Sequence, residues 1–248
     1  MTDDHPLFAA LYDPLTKPAE TVFAPHREWL AKDLSGHVLD VGTGTGAMFP
    51  YYAAARNSAH QTPDDTSAGD RPSLTVSAVE PDRHMRRRAV TRAEEAGLDV
   101  TIYDAGAESI PLADDSVDVA VVSLVLCTVD DLDASIDELA RVLRPGGELR
   151  ILEHVHAGGV TGSVQSAVTP AWKRVAAGCH LDRESGDRLL ADDRFETLEF
   201  ERLDSSFPLV TPLVRGRFRR KRDRDASTGL DALASELRAA VDTLLPTG

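Results

Sequence analysis

Apolar residues along the chain alternate between two patterns. Short β-branched runs at roughly 37–41, 74–79, 99–103, 117–123 and 148–153 predict strands, and the stretches between them carry apolar residues at helical spacing. From Pro81 to Ala96, Met85, Ala89 and Ala93 share one helical stripe, which Gly97 ends. Leu132, Ile136, Leu139 and Leu143 form another, closed by the turn at Pro145, Gly146 and Gly147. This alternation predicts an α/β fold, a doubly wound, mostly parallel sheet with helices on both faces. Beyond the fifth strand the periodicity weakens. Two extended segments near 195–203 and 209–220 are then expected to pair antiparallel at the sheet edge, making a seven-stranded sheet. Leu233, Leu237, Val241 and Leu244 predict an amphipathic C-terminal helix.

The same pattern divides the chain into an N-terminal helical lid (1–34), a main domain (35–220) and a charged helical tail (221–248). Residues 56–72, "RNSAHQTPDDTSAGDRP", are polar and rich in turn formers, so they read as a surface insertion.

With 248 residues and 42% hydrophobic content, the chain can bury a full core. A net charge of −14 argues against nucleic acid as a partner and suits a high-salt cytoplasm in which cations screen self-repulsion. Against that balance, "RGRFRRKRDR" (215–224) holds seven basic residues and one acid. As a strand it puts Arg215, Arg217 and Arg219 on one face, expected to pair with the protein's own acids; Phe218 alone makes no stacking platform. Cys127 and Cys179 lie far apart, and no apolar leader is evident, so neither a disulfide framework nor export is expected. Apart from Asp118, the longest apolar run is Val117 to Val129, too short to span a bilayer; a soluble, cytoplasmic protein is expected, its oligomeric state open.

Candidate chemistry begins at "LDVGTGTG", Leu39 to Gly46. A glycine-rich turn after the first strand of a parallel sheet lets a ligand approach the backbone closely. Dinucleotide sites use G-x-G-x-x-G, whereas here the spacing of Gly42, Gly44 and Gly46 is G-x-G-x-G, with Thr43 between the first two. Asp40, just before the turn, would repel a pyrophosphate and attract an ammonium. Glu80 follows it by 40 residues, or by 23 when the 17 residues of the insertion are left out, close to the offset of about 20 at which a carboxylate accepts ribose hydroxyls. Ribose, an ammonium and no phosphate together describe S-adenosylmethionine.

With "VEPD", "GAESIPLADDSVDVAVVS" and "RVLRPGGELRILE" following in order, residues 35 to 155 resemble the class I S-adenosylmethionine-dependent methyltransferases and their Rossmann-like fold. The resemblance implies that Asp40, Gly42, Thr43, Gly44 and Gly46 hold the methionine part and that Glu80, with Pro81, holds the ribose. It also implies that Met85 packs on adenine, that Ala107 and Glu108 border the adenine amino group, and that Ser123 meets the cofactor at the end of the fourth strand. Many relatives have aspartate where Gly106 stands, and Glu108 is expected to substitute for it. "SLVLCTV", "LEHVH", "AWKRVAAGCHLDRES" and "TPLVRGRFRR" are similar to methyltransferase-like proteins that methylate small alkyl thiols, whereas the N-terminal thirty residues look more like the lid of quinone-ring methyltransferases. A thiol sulfur is therefore the leading acceptor, a quinone-like ring carbon the second, and a non-catalytic cofactor-binding module the third reading.

Methyl transfer from a sulfonium is a direct displacement for which positioning and dryness suffice, so no metal is required. The spacings of Glu153, His154 and His156, and of Cys179 with His180, match no structural zinc pattern. An acceptor thiol must lose its proton, and His154 and His180 are the candidate bases; each is equally readable as a packed or capping histidine. Trp172, Arg183 and Cys127 are candidates for the acceptor pocket, with the alternatives that Trp172 packs in the core, Arg183 pairs with Glu184, and Cys127 is a small buried hydrophobe. Tyr12 and Trp29 are candidate lid residues.

Overall fold

The computed structural model describes residues 20–59, 72–176, 178–203 and 212–222. In chain order these form α1 (Glu20–Ala31), β1 (His37–Val41), α2 (Phe49–Ala59), β2 (Thr75–Val79), α3 (Arg83–Glu95), β3 (Val100–Tyr103) and β4 (Val117–Ser123). After these come α4 (Leu132–Val142), β5 (Leu143–His154), α5 (Gly159–Val175), α6 (Ser185–Leu190), β6 (Phe195–Leu203) and β7 (Leu213–Arg220). The strands make one seven-stranded sheet in the order β3-β2-β1-β4-β5-β7-β6. Every pairing from β3 to β5 is parallel, and β7 runs antiparallel between β5 and β6. The predicted α/β class and the antiparallel edge pair are both present.

Central strands are buried on both faces, which explains their continuous apolar runs. Along β4, Ala120 and Val122 join the core under α4, while Val119 and Val121 join the core under α2 and α3, as a two-residue period requires. The two main helix starts carry side-chain caps. Asp82 accepts from the amides of His84 (2.7 Å) and Met85 (3.0 Å), and Asp131 accepts from that of Ala134 (3.0 Å). Helix α1 is fastened to the body: Leu30 and Ala31 are buried, and Arg150 Nη1 donates to the Leu30 carbonyl at 2.9 Å.

Three expectations need correction: Leu143, expected on the helical stripe, and Pro145 to Gly147, expected as a turn, belong to β5, which starts at Leu143 and not near residue 148. Residues 56–59 continue α2 instead of opening an insertion, and helices α5 and α6 have no counterpart in the apolar pattern. In α5 the usual polarity is inverted, since Gln165 and Thr169 are buried while Val160 is 83% and Val164 52% exposed. That inversion erases the apolar stripe on which helix recognition depends. The Gln165 side chain is satisfied by accepting from the Ala157 amide at 2.7 Å.

The basic strand pairs with the protein's own acids, as its pattern suggests. Arg215 meets Glu201 (2.7 Å), Arg217 meets Glu148 (2.9 Å), Arg219 meets Glu196 (3.2 Å), and Arg220 meets Asp115. Arg215 also lies over the Trp29 ring, 4.4 Å from its centroid, so Trp29 packs against β7. No helix among the described residues is long and apolar enough to cross a membrane. Tyr12, the insertion beyond residue 59 and the predicted C-terminal helix lie outside the described residues.

Candidate active site

Strand order reverses between β1 and β4, and open α/β sheets bind ligands in the crevice at that point. The turn leaving β1 forms one wall. Gly42, Gly44 and Gly46 have φ of 62°, 58° and 80°, the left-handed region where a side chain is strained. At Gly42 a Cβ would sit 2.6 Å from Val125 Cγ1, so only glycine lets the turn close against the loop that follows β4. At Gly44 nothing lies within 4 Å of the corresponding position, leaving a space that a ligand can enter.

Asp40 and Glu80 flank this cradle differently. Asp40 is 2% exposed and accepts from the hydroxyls of Tyr52 (2.9 Å) and Thr43 (2.5 Å). Burial pushes its carboxyl up to about 6, against the pull of those two donors. Glu80 accepts from the amides of Gly44 (2.8 Å) and Asp82 (2.9 Å), and burial raises its pKa despite both bonds. Two carboxylates beside an open glycine turn fit a ligand with an ammonium at one end and free hydroxyls at the other, which is the donor set of S-adenosylmethionine.

At the expected adenine end, Ala107 and Met85 are buried, Pro81 is half-buried, and Ser123 closes β4 opposite Leu152. Glu108 also braces the neighbouring loop, where its Oε1 accepts from the amides of Asp130 (2.9 Å) and Asp131 (3.4 Å). The other oxygen lies 2.6 Å from where a Gly106 Cβ would stand, so a side chain at 106 would displace Glu108.

The second wall is the loop after β4. Buried Glu153, in β5, accepts from the amides of Val125 (2.8 Å), Leu126 (2.9 Å) and Cys127 (3.4 Å) and holds this loop against the sheet end. From the other side, the His180 amide donates to the Cys127 carbonyl at 2.7 Å. Arg183 donates to the carbonyls of Leu126 (3.0 Å) and Val129 (2.6 Å). The expected Arg183–Glu184 ion pair is therefore replaced by bonds to backbone, because a guanidinium gathers carbonyls that a loop leaves free.

These contacts bring Cys127, His154 and Cys179 together, with their ligand-type atoms all within 4.8 Å of one another. His154 Nε2 is 2.7 Å from Cys179 Sγ, and Trp172 Nε1 donates to the same sulfur at 3.3 Å. The hydrogen bond from Cys127, together with the His154 ring, overcomes burial and draws the Cys179 thiol down to about 5, while Cys127 is pushed well above the thiol range. His154 is raised: burial opposes its charge, but Cys179 and Glu153 outweigh burial. His180 is lowered, by burial and then by Arg183 and Lys173, and it borders a cavity of about 480 Å³ with Thr169, Pro170, Lys173, Arg174 and Asp182. His154 and Trp172 thus meet at the Cys179 sulfur, which nothing in the spacing along the chain links to Cys127, while the His180 side chain faces the cavity.

Residues 39–151 match the family described as "Methyltransferase domain". Thiol S-methyltransferase TMT1A of Homo sapiens is 28% identical over 217 residues, covering 84% of this chain and 81% of that protein. The ubiquinone/menaquinone biosynthesis C-methyltransferase UbiE of Syntrophotalea carbinolica is 32% identical over 161 residues, 61% of each chain. Among solved structures, geranyl diphosphate C-methyltransferase of Streptomyces coelicolor, in complex with S-adenosyl-L-homocysteine, superposes with a TM-score of 0.59 at 15% identity over 81% of both chains. At that identity the superposition speaks for the fold alone.

Proposed function

Since the chain belongs to the class I S-adenosylmethionine-dependent methyltransferases, we propose that it methylates the sulfur of a small thiol in the cytoplasm. In this reading Asp40 and the Gly42–Gly46 turn hold the methionine end of the cofactor. Glu80 takes the ribose, and Met85, Ala107 and Glu108 surround the adenine. When bound, S-adenosylmethionine supplies a methyl group that needs no further activation. The chain's own residues then exclude water and receive an acceptor sulfur without its proton.

The observation that carries the thiol reading is the Cys127, His154 and Cys179 group beside the loop that packs on Gly42. Its buried, polarisable surroundings suit sulfur better than a hydrated hydroxyl. His154, buried beside Cys179, and His180, on the cavity side, are the imidazoles available to take the proton. Likeness to a thiol S-methyltransferase over most of both chains supports the same acceptor. A second reading, methylation of a quinone-like ring carbon, is favoured by the 32% identity to UbiE. Incubation with methyl-labelled cofactor and a panel of alkyl thiols, phenols and quinols separates the two. Labelled thioether is the expected product, and turnover of ring substrates without thiols would replace the first reading by the second.

A further inference from the structure

We propose that Cys127, His154 and Cys179 form a binding site for a soft divalent cation, with Zn2+ as the type, whose fourth position receives the acceptor thiol. The cation site stands on its own geometry; only the fourth ligand rests on the thiol reading above.

Three separate elements deliver the three side chains: the loop after β4, the last residue of β5 and the segment between α5 and α6. All three are buried, and Leu181, Val168, Trp172 and Ala176 enclose the two thiols. Polar groups in such a setting are costly unless they share a partner. Independently, His154 is 5% exposed, and its Nδ1 has no hydrogen-bond partner among the described residues. One imidazole nitrogen meets a sulfur while the other stays unused inside the protein.

Two sulfurs and one imidazole select soft cations over Mg2+ or Ca2+, which prefer oxygen. Zinc held by three protein ligands keeps a fourth position open. Bonds of about 2.0 to 2.3 Å put tetrahedral ligands roughly 3.5 Å apart. The observed spread, within 4.8 Å overall and 2.7 Å between His154 and Cys179, reaches that spacing through small side-chain rotations. Outer contacts of the kind that steady metal ligands surround the two cysteines, while His154 Nδ1 has none among the described residues. Glu153 fixes the backbone of Cys127, Arg183 fixes the loop carbonyls on either side, and the Trp172 indole donates to the Cys179 sulfur.

With His154 engaged as a ligand and no longer available as the base, a thiol bound at the open position loses its S–H proton to His180 or to water and remains as a coordinated thiolate. Its sulfur forms the new S–C bond while the methyl–sulfonium bond breaks, and that bond's electron pair stays on the departing sulfur. The products are a neutral thioether and S-adenosylhomocysteine, with no net oxidation. A thioether is the weaker ligand, so the product leaves.

Metal-stripped full-length protein, kept reduced with a phosphine, is titrated with Co2+ as the probe. The proposal predicts one Co2+ per chain, an intense near-ultraviolet sulfur-to-cobalt charge-transfer band, displacement by Zn2+, and a change in the visible bands on adding ethanethiol. Cys127→Ser, Cys179→Ser and His154→Gln should each weaken Co2+ binding by about 100-fold or more, since losing an outer partner alone costs roughly 10- to 100-fold. Calorimetric binding of S-adenosylhomocysteine at wild-type strength confirms that each variant is folded. Folded wild-type protein without the charge-transfer band, or variants that bind Co2+ as tightly as wild type, would overturn the site. A spectrum indifferent to ethanethiol would overturn the open position. Thiol methylation undiminished by stripping the metal would overturn the metal's role and leave the thiol acceptor standing, whereas a cobalt site with turnover of rings only would do the reverse.

Discussion

Asp40, buried beside the glycine turn proposed to hold the cofactor, ties that turn to the pH dependence of folding. Its carboxyl is raised from 3.8 to about 6 by burial, so its favourable contribution to folding is complete below pH 3.8 and is lost as pH rises through about 6. The loss amounts to about 3 kcal/mol in the cofactor-free protein. Asp40→Asn should remove it, so the denaturant midpoint of the variant should depend less steeply on pH between 4.5 and 8 than that of wild type. Equal slopes would show that Asp40 stays ionised inside. Glu80→Ala should weaken cofactor binding by about 1.5 to 3 kcal/mol, the worth of hydrogen bonds to a charged group, as read by calorimetry. Unchanged affinity would remove Glu80 from the ribose site. These residues are legible in the sequence because turn chemistry is local: the three glycines, Asp40 before them and an acid closing the next strand keep a nearly fixed spacing. Cys127, His154 and Cys179 have no such spacing. The 25 residues separating His154 from Cys179 include a whole helix, and only the tertiary fold makes the pair neighbours.

Among the elements, the loop after β4 joins the two sides of the candidate site. It packs on the glycine turn through Val125, delivers Cys127, and is held by Glu153 on one side and Arg183 on the other. Arg183→Met should cost about 1.5 to 3 kcal/mol of stability, the range for charge-assisted bonds, and should raise the KM for the acceptor while cofactor affinity stays within about twofold. Full stability with a lost anionic acceptor would restore Arg183 to the substrate role that its place in the sequence suggests. Strands β1 to β4 are readable to within a residue, since β-branched runs buried on both faces have few alternatives, whereas β5 begins at Leu143, five residues before the expected start. Helix α5 is not, because its buried face carries Gln165 and Thr169 while Val160 and Val164 face outward. Burial there follows from contacts that the chain makes only after folding, such as Gln165 capturing the Ala157 amide.

At the scale of the whole molecule, a net charge of −14 sets the electrostatic background. Exposed arginine–acid pairs along β6 and β7 offset it locally, yet such pairs contribute little each. Screening of the remaining repulsion should therefore dominate, and the thermal midpoint should rise with KCl up to about 1 M. A midpoint that falls with KCl would instead assign the ion pairs the larger share. The central proposal is methyl transfer from S-adenosylmethionine to a small thiol. Its most direct test is mass spectrometry of the products formed from methyl-labelled cofactor and an equimolar mixture of an alkyl thiol, a phenol and a quinol. The account predicts label on sulfur, in a thioether that forms only with active protein; label on ring carbon or phenol oxygen, with none on sulfur, would contradict it.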